Sequence, residues 1–235
     1  MSPHRGRYIG RFAPSPTGPL HFGSLVAAVG SYLDARHVKG QWRVRIEDID
    51  TTREIPGSAD LILRTLSVFG FEWDDSIERQ SDRIQLYDEA FARLRECEQI
   101  FTCSCSRTEI AALQGSYTGD ETRYPGVCRT GPSNSNATLA TRLRVDPLLV
   151  EFADRLQGSV KENVAATVGD FVIKRRDGLY AYHFAVVVDD AAQHITDVVR
   201  GADLLDSTAR QILLQRALGL PTPRYGHLPL AIDQA

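Results

Sequence analysis

Three constellations in the chain have residue types and spacings that could do chemistry. His21, Gly23 and Ser24 close a loop shaped by Pro14, Pro16, Gly18 and Pro19, just ahead of a stretch with helical spacing. A strand, a loop and a helix start together present backbone N–H groups and a positive dipole end, which suits a phosphate. An ordinary strand-to-helix turn uses the same residues. Glu47, Asp48 and Asp50 follow the apolar run Gln41 to Ile46. Carboxylates there lie where α/β folds bind ligands, or they form a helix cap or surface cluster. Cys103-x-Cys105 and, further on, Tyr124-x-x-x-Cys128 could build a tetrahedral zinc site with thiolates as main ligands. Buried or idle thiols are the competing explanation. Tyrosine is an unusual zinc ligand, so chemistry alone leaves the fourth position open to Cys97, Tyr117 or His194 as well.

The elements that must position these groups read as an α/β chain. Leu25, Val29, Tyr32 and Leu33 fall on one helical face after the proline loop. Gln41 to Ile46 reads as a half-buried strand, with Trp42, Val44 and Ile46 inward and Arg43 and Arg45 outward. Ser58 to Phe69 and Asp82 to Cys97 read as amphipathic helices, the second capped by Ser81 or Asp82. From Phe101 to about Asn136 the composition turns to Cys, Gly, Ser, Thr and Asn, loosest from Thr130 to Asn136. Strands resume at Leu139 to Val145 and Val150 to Leu156, and a loop through Gly158 and Gly169 follows. Phe171 to Lys174 and Tyr180 to Val188 are predicted as paired strands around Arg176-Asp177-Gly178. A strand at Ile195 to Val199 and a helix from Ser207 to Leu218, ended by Gly219, complete the pattern.

At 235 residues the chain can bury a substantial core. A formal charge of −3 gives no global basic field, so nucleic acid would have to use local patches such as Arg142 with Arg144, or Lys174, Arg175 and Arg176. Four cysteines without a signal-peptide pattern argue against a disulfide framework and for a cytoplasmic protein. No apolar run is long enough for a membrane span.

The string RFAPSPTGPLHFGS, from Arg11 to Ser24, resembles the first signature of class I aminoacyl-tRNA synthetases, the His-x-Gly-His type, in the form used by glutamyl enzymes. Ser24 stands at the second histidine, a variable place in that branch. RIEDID, YHFAVVVDD, ITDVVRGADLLDSTARQILLQRALG and YGHLPLAI carry the resemblance over nearly the whole chain. It implies a class I synthetase α/β fold, a Rossmann-type parallel sheet split by a zinc-containing α+β insertion. The expected division is 1–100 for the first catalytic half, 101–175 for the insertion, which contacts the acceptor, and 176–235 for the second half. The resemblance implies that His21, Gly23 and Ser24 serve ATP, which arrives with Mg²⁺. It places L-glutamate on Arg11, Ala13, Ser15, Glu47, Tyr182 and Arg200. The charges agree: one ammonium needs an anion such as Glu47, and two carboxylates need cations such as Arg11 and Arg200. It also implies one structural Zn²⁺ on Cys103, Cys105, Tyr124 and Cys128. Val186 departs from the asparagine common in glutamyl enzymes.

HFGS, RIEDID, Val186, the C-x-C…Y-x-x-x-C set and the lack of a following anticodon-binding domain together resemble the family's shortened branch. That branch implies tRNA-independent activation of glutamate, then transfer to queuosine in the anticodon of tRNA(Asp), by an expected monomer. A fragment charging tRNA(Glu), or an inactive RNA-binding or amino-acid-sensing paralogue, are the alternatives. The family's second signature, of Lys-Met-Ser-Lys-Ser type, is expected just beyond Ala235, because Lys39, Lys161 and Lys174 are the only lysines and none has that setting.

Overall fold

The computed structural model describes residues 7–114, 123–134 and 136–231. The first part runs β1 (Ile9–Phe12), α1 (Phe22–His37), β2 (Gln41–Ile46), α2 (Ser58–Val68), β3 (Glu78–Arg79) and, after a 3₁₀ turn, α3 (Ile84–Glu96). There follow β4 (Ile100–Cys103), α4 (Arg107–Gln114), β5 (Ala140–Leu143), β6 (Val150–Asp154), β7 (Gly158–Glu162), α5 (Val164–Thr167) and β8 (Val172–Lys174). The last part is α6 (Tyr182–Ala192), β9 (Asp197–Gly201), α7 (Ser207–Leu218) and β10 (Arg224–Leu228).

β1, β2 and β3 pair in parallel, as do β9, β10 and β6, with β7 added antiparallel to β6. The two sheets meet where Thr196 N–H donates to the Ile9 carbonyl at 2.9 Å, which sets β9 beside β1. The parallel order is therefore β3-β2-β1-β9-β10-β6. Chain progression reverses between β1 and β9, and the crevice beyond the carboxyl ends at such a reversal is where doubly wound sheets bind ligands. β4, β5 and β8 form a separate antiparallel sheet. Among the described residues no helix is long and apolar enough to cross a membrane.

Several elements differ from their sequence reading for packing reasons. In α1 the buried residues are Ala28, Ser31 and Ala35, while Val29 and Leu33 are 44% and 59% exposed. The helix lies so close to the sheet that only small side chains fit: a Cβ on Gly30 would stand 2.5 Å from Leu228 Cδ1. Ser31 is tolerated inside because its hydroxyl takes the Trp42 indole N–H at 3.0 Å and donates to the Ala28 carbonyl. Arg45 does not face outward; it is fully buried, because β2 is covered on both faces. The segment after Tyr180 is the helix α6 rather than a strand. Every residue from Phe184 to Asp190 is buried, so no polar face marks a 3.6 period, and the valine run alone reads as strand. Only the Lys174–Tyr180 bridge remains of the predicted pairing, although the turn itself closes through Gly178. α3 begins at Ile84 without a side-chain cap, because Ser81 instead gives its N–H and hydroxyl to Asp48, each at 2.9 Å. Gly158 opens a hairpin, β6 to β7, where a loop was expected. α4 carries a capping box, with Glu109 N–H on Ser106 Oγ and Ser106 N–H on the Glu109 carboxylate.

Gly169 joins the antiparallel sheet to the residues around Tyr124. Its φ is +75°, and a Cβ there would lie 2.4 Å from the Tyr124 carbonyl oxygen. Gly169→Ala is expected to destabilise the protein by at least ~2 kcal/mol, read from the urea midpoint. An unchanged midpoint would show that this contact does not constrain the fold.

Candidate active site and metal centre

A cavity of about 740 Å³ opens beyond the carboxyl ends of β1, β2 and β9, at the reversal point. Arg11, Ala13, Ser15, His21, Gly23, Ser24, Glu47, Tyr182 and Arg200 all line it, so the residues singled out in the sequence for nucleotide and for amino acid share one cavity. Arg11, Ala13 and Ser15 come from β1 and the loop after it, Glu47 from the end of β2, Tyr182 from the first turn of α6 and Arg200 from β9.

At one end, α1 points its N-terminus at the cavity. His21 is its N-cap, and the ring Nδ1 accepts Ser24 N–H at 3.2 Å. Nε2 lies 2.9 Å from Ser24 Oγ. His21 thus satisfies one orphan N–H of the helix itself, and Nε2 carries the hydrogen that it can offer. A Cβ on Gly23 would sit 3.2 Å from the ring, so a larger residue there would crowd it.

At the other end lies a buried ionic network that sequence reading missed. Arg45 Nη1 donates to Asp190 at 2.8 Å and to Gln193 Oε1 at 2.6 Å, Nη2 donates to Glu47 Oε1 at 3.1 Å, and Nε lies 3.6 Å from Asp189. Arg11 Nε meets Asp190 at 3.2 Å. Asp189 also takes Arg83 Nε at 2.6 Å, and Gln80 and Tyr87 at 2.8 Å each. Arg11, Arg45 and Arg83 thus face the buried Glu47, Asp189 and Asp190, and Arg83 also reaches Glu78 at 3.0 Å near the edge of the network. Burial would raise the Asp190 carboxyl, but the Arg11 and Arg45 guanidiniums outweigh it and hold the group below its usual range. For Glu47 burial wins over the same two guanidiniums, and its pKa is raised. The available signal was a pair of carboxylates inside an apolar run, VVVDD, and an arginine among buried neighbours, WRVRI. Charges in such runs rarely go inside unless paired.

Arg200 is held on several sides. Nε donates to His227 Nε2 at 3.0 Å, Nη2 to Thr208 Oγ1 at 2.9 Å, and Nη1 lies 3.5 Å from the Tyr182 hydroxyl. Burial raises the Tyr182 phenol, against the pull of Arg200.

Away from this cavity, Cys103, Cys105 and Cys128 are buried with their sulfurs within 4.8 Å of one another. Tyr124 OH is 3.5 Å from Cys103 Sγ and accepts Cys128 N–H at 2.8 Å. Tetrahedral zinc with Zn–S of about 2.3 Å separates sulfurs by roughly 3.8 Å; Cys105 and Cys128 are 3.5 Å apart. The donor set therefore fits a zinc-sized ion. Burial opposes ionisation of Cys128, but hydrogen bonds at Ser133, Ser104 and Tyr124 bring its thiol down to about 6. The Arg142 guanidinium lies 3.9 Å over the Tyr124 ring. Of the rival fourth ligands, Cys97 is exposed at the end of α3, His194 is exposed after α6, and Tyr117 lies outside the described residues. The suggested RNA patches are largely occupied by structural contacts: Arg142 is buried, Arg175 pairs with Asp50 and Asp177, and Arg176 binds the Ser104 carbonyl.

Residues 9–234 match the tRNA synthetases class I (E and Q) catalytic domain, and the chain belongs to that family. Within it, the chain is 56% identical over 228 residues to the glutamyl-Q tRNA(Asp) synthetase of Aromatoleum aromaticum, covering 97% of this chain and 72% of that protein. It is 54% identical over 226 residues to the glutamyl-Q tRNA(Asp) synthetase of Pseudomonas aeruginosa PAO1, covering 96% and 74%. Among solved structures it is similar to the glutamate-tRNA synthetase of Elizabethkingia anophelis, with TM-score 0.86 and 29% identity over 97% of this chain; the chain spans 51% of that one.

The ionic network makes a sharp demand on Arg45. Arg45→Met is expected to cost roughly 3–5 kcal/mol, because Glu47, Asp189 and Asp190 lose their shared cation inside the protein. Urea unfolding at pH 7 measures it, and a loss below ~1 kcal/mol would show that the carboxylates are balanced without Arg45.

Proposed function

We propose that the protein activates L-glutamate with ATP, without needing tRNA, and transfers the glutamyl group to queuosine in the anticodon of tRNA(Asp). The observation that carries this reading is the 53–57% identity to glutamyl-Q tRNA(Asp) synthetases over nearly the whole chain. The gathering of the nucleotide and glutamate candidates on one cavity supports it.

In the first step an oxygen of the glutamate α-carboxylate attacks the α-phosphorus of ATP, forming the mixed anhydride and releasing pyrophosphate. The protein's task is positioning and charge stabilisation. His21, Gly23, Ser24 and the start of α1 receive the phosphates, with Mg²⁺ accompanying the nucleotide. Glu47, whose Oε1 is taken by Arg45, offers its other oxygen to the ammonium. Arg11, fixed to Asp190 through Nε, has its terminal nitrogens for one carboxylate, and Arg200 with Tyr182 takes the other. Ala13 and Ser15 complete the wall. In the second step a hydroxyl of the queuosine cyclopentene-diol attacks the anhydride carbonyl, and AMP leaves. Cys103, Cys105, Cys128 and Tyr124 hold one Zn²⁺, which when bound cross-links β4 to the segment around Tyr124 and takes no part in either step.

The solved glutamate-tRNA synthetases favour one alternative acceptor, tRNA(Glu). Incubation with ATP, labelled glutamate and separate pools of tRNA(Asp) and tRNA(Glu) decides between them. Label is expected on tRNA(Asp), retained on tRNA whose 3′-terminal adenosine has been removed and absent from tRNA lacking queuosine. Comparable charging of tRNA(Glu) would reject the reading.

Arg200→Ala is expected to weaken glutamate activation by about 3 kcal/mol or more in ATP–pyrophosphate exchange while the fold survives. A near-normal response to glutamate concentration would remove Arg200 from the pocket. Metal analysis of the purified protein is expected to give one zinc per chain, lost in Cys128→Ala. Less than half an equivalent in the unmodified protein would count against the site.

A further inference from the structure

His227 and Asp154 carry chemistry, are buried, and neither lines the cavity. They come from different strands: Asp154 ends β6 and His227 lies in β10, which pairs with β6. His227 Nδ1 is 2.5 Å from Asp154 Oδ2, and His227 Nε2 is 3.0 Å from Arg200 Nε.

We propose that Asp154 and His227 are positioning residues for the cavity arginine, fixing the His227 ring as the neutral Nδ1–H tautomer so that its Nε2 lone pair aims Arg200. This rests on the reading that Arg200 receives a carboxylate of the substrate.

The hydrogen-bond inventory leaves one arrangement. A guanidinium has only donors, so Nε2 opposite Arg200 Nε must accept, and the ring hydrogen must sit on Nδ1; the Thr208 hydroxyl, 3.3 Å from the same Nε2, is able to donate to it as well. A carboxylate only accepts, so Asp154 Oδ2 stabilises that hydrogen where it is. Asp154 is itself oriented by its other oxygen, which accepts the backbone N–H groups of Leu156 at 3.0 Å, Gln157 at 2.9 Å and His227 at 3.1 Å. The Tyr225 ring stacks on His227 at 6.2 Å between centroids and closes one face. Burial, then the Arg200 charge, disfavour an imidazolium there, against the pull of Asp154. With Nε on His227 and Nη2 on Thr208, Arg200 is left with Nη1, beside the Tyr182 hydroxyl, as its least committed nitrogen. Aiming Arg200 is thus a consequence of which ring nitrogen carries the hydrogen.

Asp154→Asn tests this with little change of shape. The side-chain carbonyl keeps the three backbone N–H groups, and the amide donor replaces Oδ2 opposite Nδ1. The ring must then move its hydrogen to Nε2, where it faces Arg200 Nε–H, donor against donor. The first measurement needs no variant: ring ¹⁵N NMR of the protein is expected to show His227 neutral with hydrogen on Nδ1. In Asp154→Asn the hydrogen is expected on Nε2, with the KM for glutamate in ATP–pyrophosphate exchange raised roughly 10- to 100-fold and kcat within about threefold. His227→Gln, whose carbonyl can still accept from Arg200, is expected to recover most of the loss seen in His227→Leu, with circular dichroism confirming that both fold. An Nε2–H or charged ring in the unmodified protein, an unchanged KM in Asp154→Asn, or equal losses in the Gln and Leu variants would each overturn the proposal. No glutamate-dependent exchange by the unmodified protein would overturn the reading of the pocket instead, and the ring NMR would still report on the pair.

Discussion

The burial of Arg45 is the constraint on which the rest of the structure depends. Its guanidinium sits fully enclosed between β2 and α6, which are far apart in the chain. A lone buried charge costs several kcal/mol, so its carboxylates must be delivered from both halves of the fold at once. Glu47 comes from its own strand, and Asp189 and Asp190 from the helix across the sheet. Assembly of the two halves and neutralisation of the arginine are one event.

That arrangement also shapes the cavity. Arg11 and Glu47 stand on the ligand side of the network, each tied to it by part of its polar surface. On the proposed reading, a ligand with one cation and two anions would meet groups that already have their orientation, with little side-chain entropy left to lose on binding. Arg200 is treated the same way from the opposite side, through His227 and Thr208. The two arginines differ in one respect: Arg11 is anchored by a carboxylate, Arg200 by neutral acceptors, so Arg200 presents more uncompensated positive charge to the cavity.

The cysteine cluster is organised on other principles. Its small apolar group, Phe101, Ile110, Tyr124 and the thiols, is separate from the two larger cores. Gly169 and the β4–β5–β8 sheet bring the Tyr124 segment against the C-x-C turn. A core of that size is a weak source of stability, and its three buried thiols could hold a metal cross-link.

The sequence by itself determined the parts whose signal is local. The proline- and glycine-rich loop before α1, the carboxylate at the end of β2, the Gly219 stop of α7 and the cysteine spacings are each written within a few residues, and the family likeness rests on such strings. The structure gathers the cavity residues that those strings contain. Tertiary packing alone decided the elements whose signal is not local. α6 has no polar face because it is enclosed on all sides, so its valines read as strand. α1 turns its small residues inward because the sheet lies too close for Val29 and Leu33. Arg45 reads as an outward residue on an alternating strand until the carboxylates on α6 are seen opposite it. Pattern and spacing report what one segment prefers against water; which charge is buried, and against what, depends on a partner more than a hundred residues away.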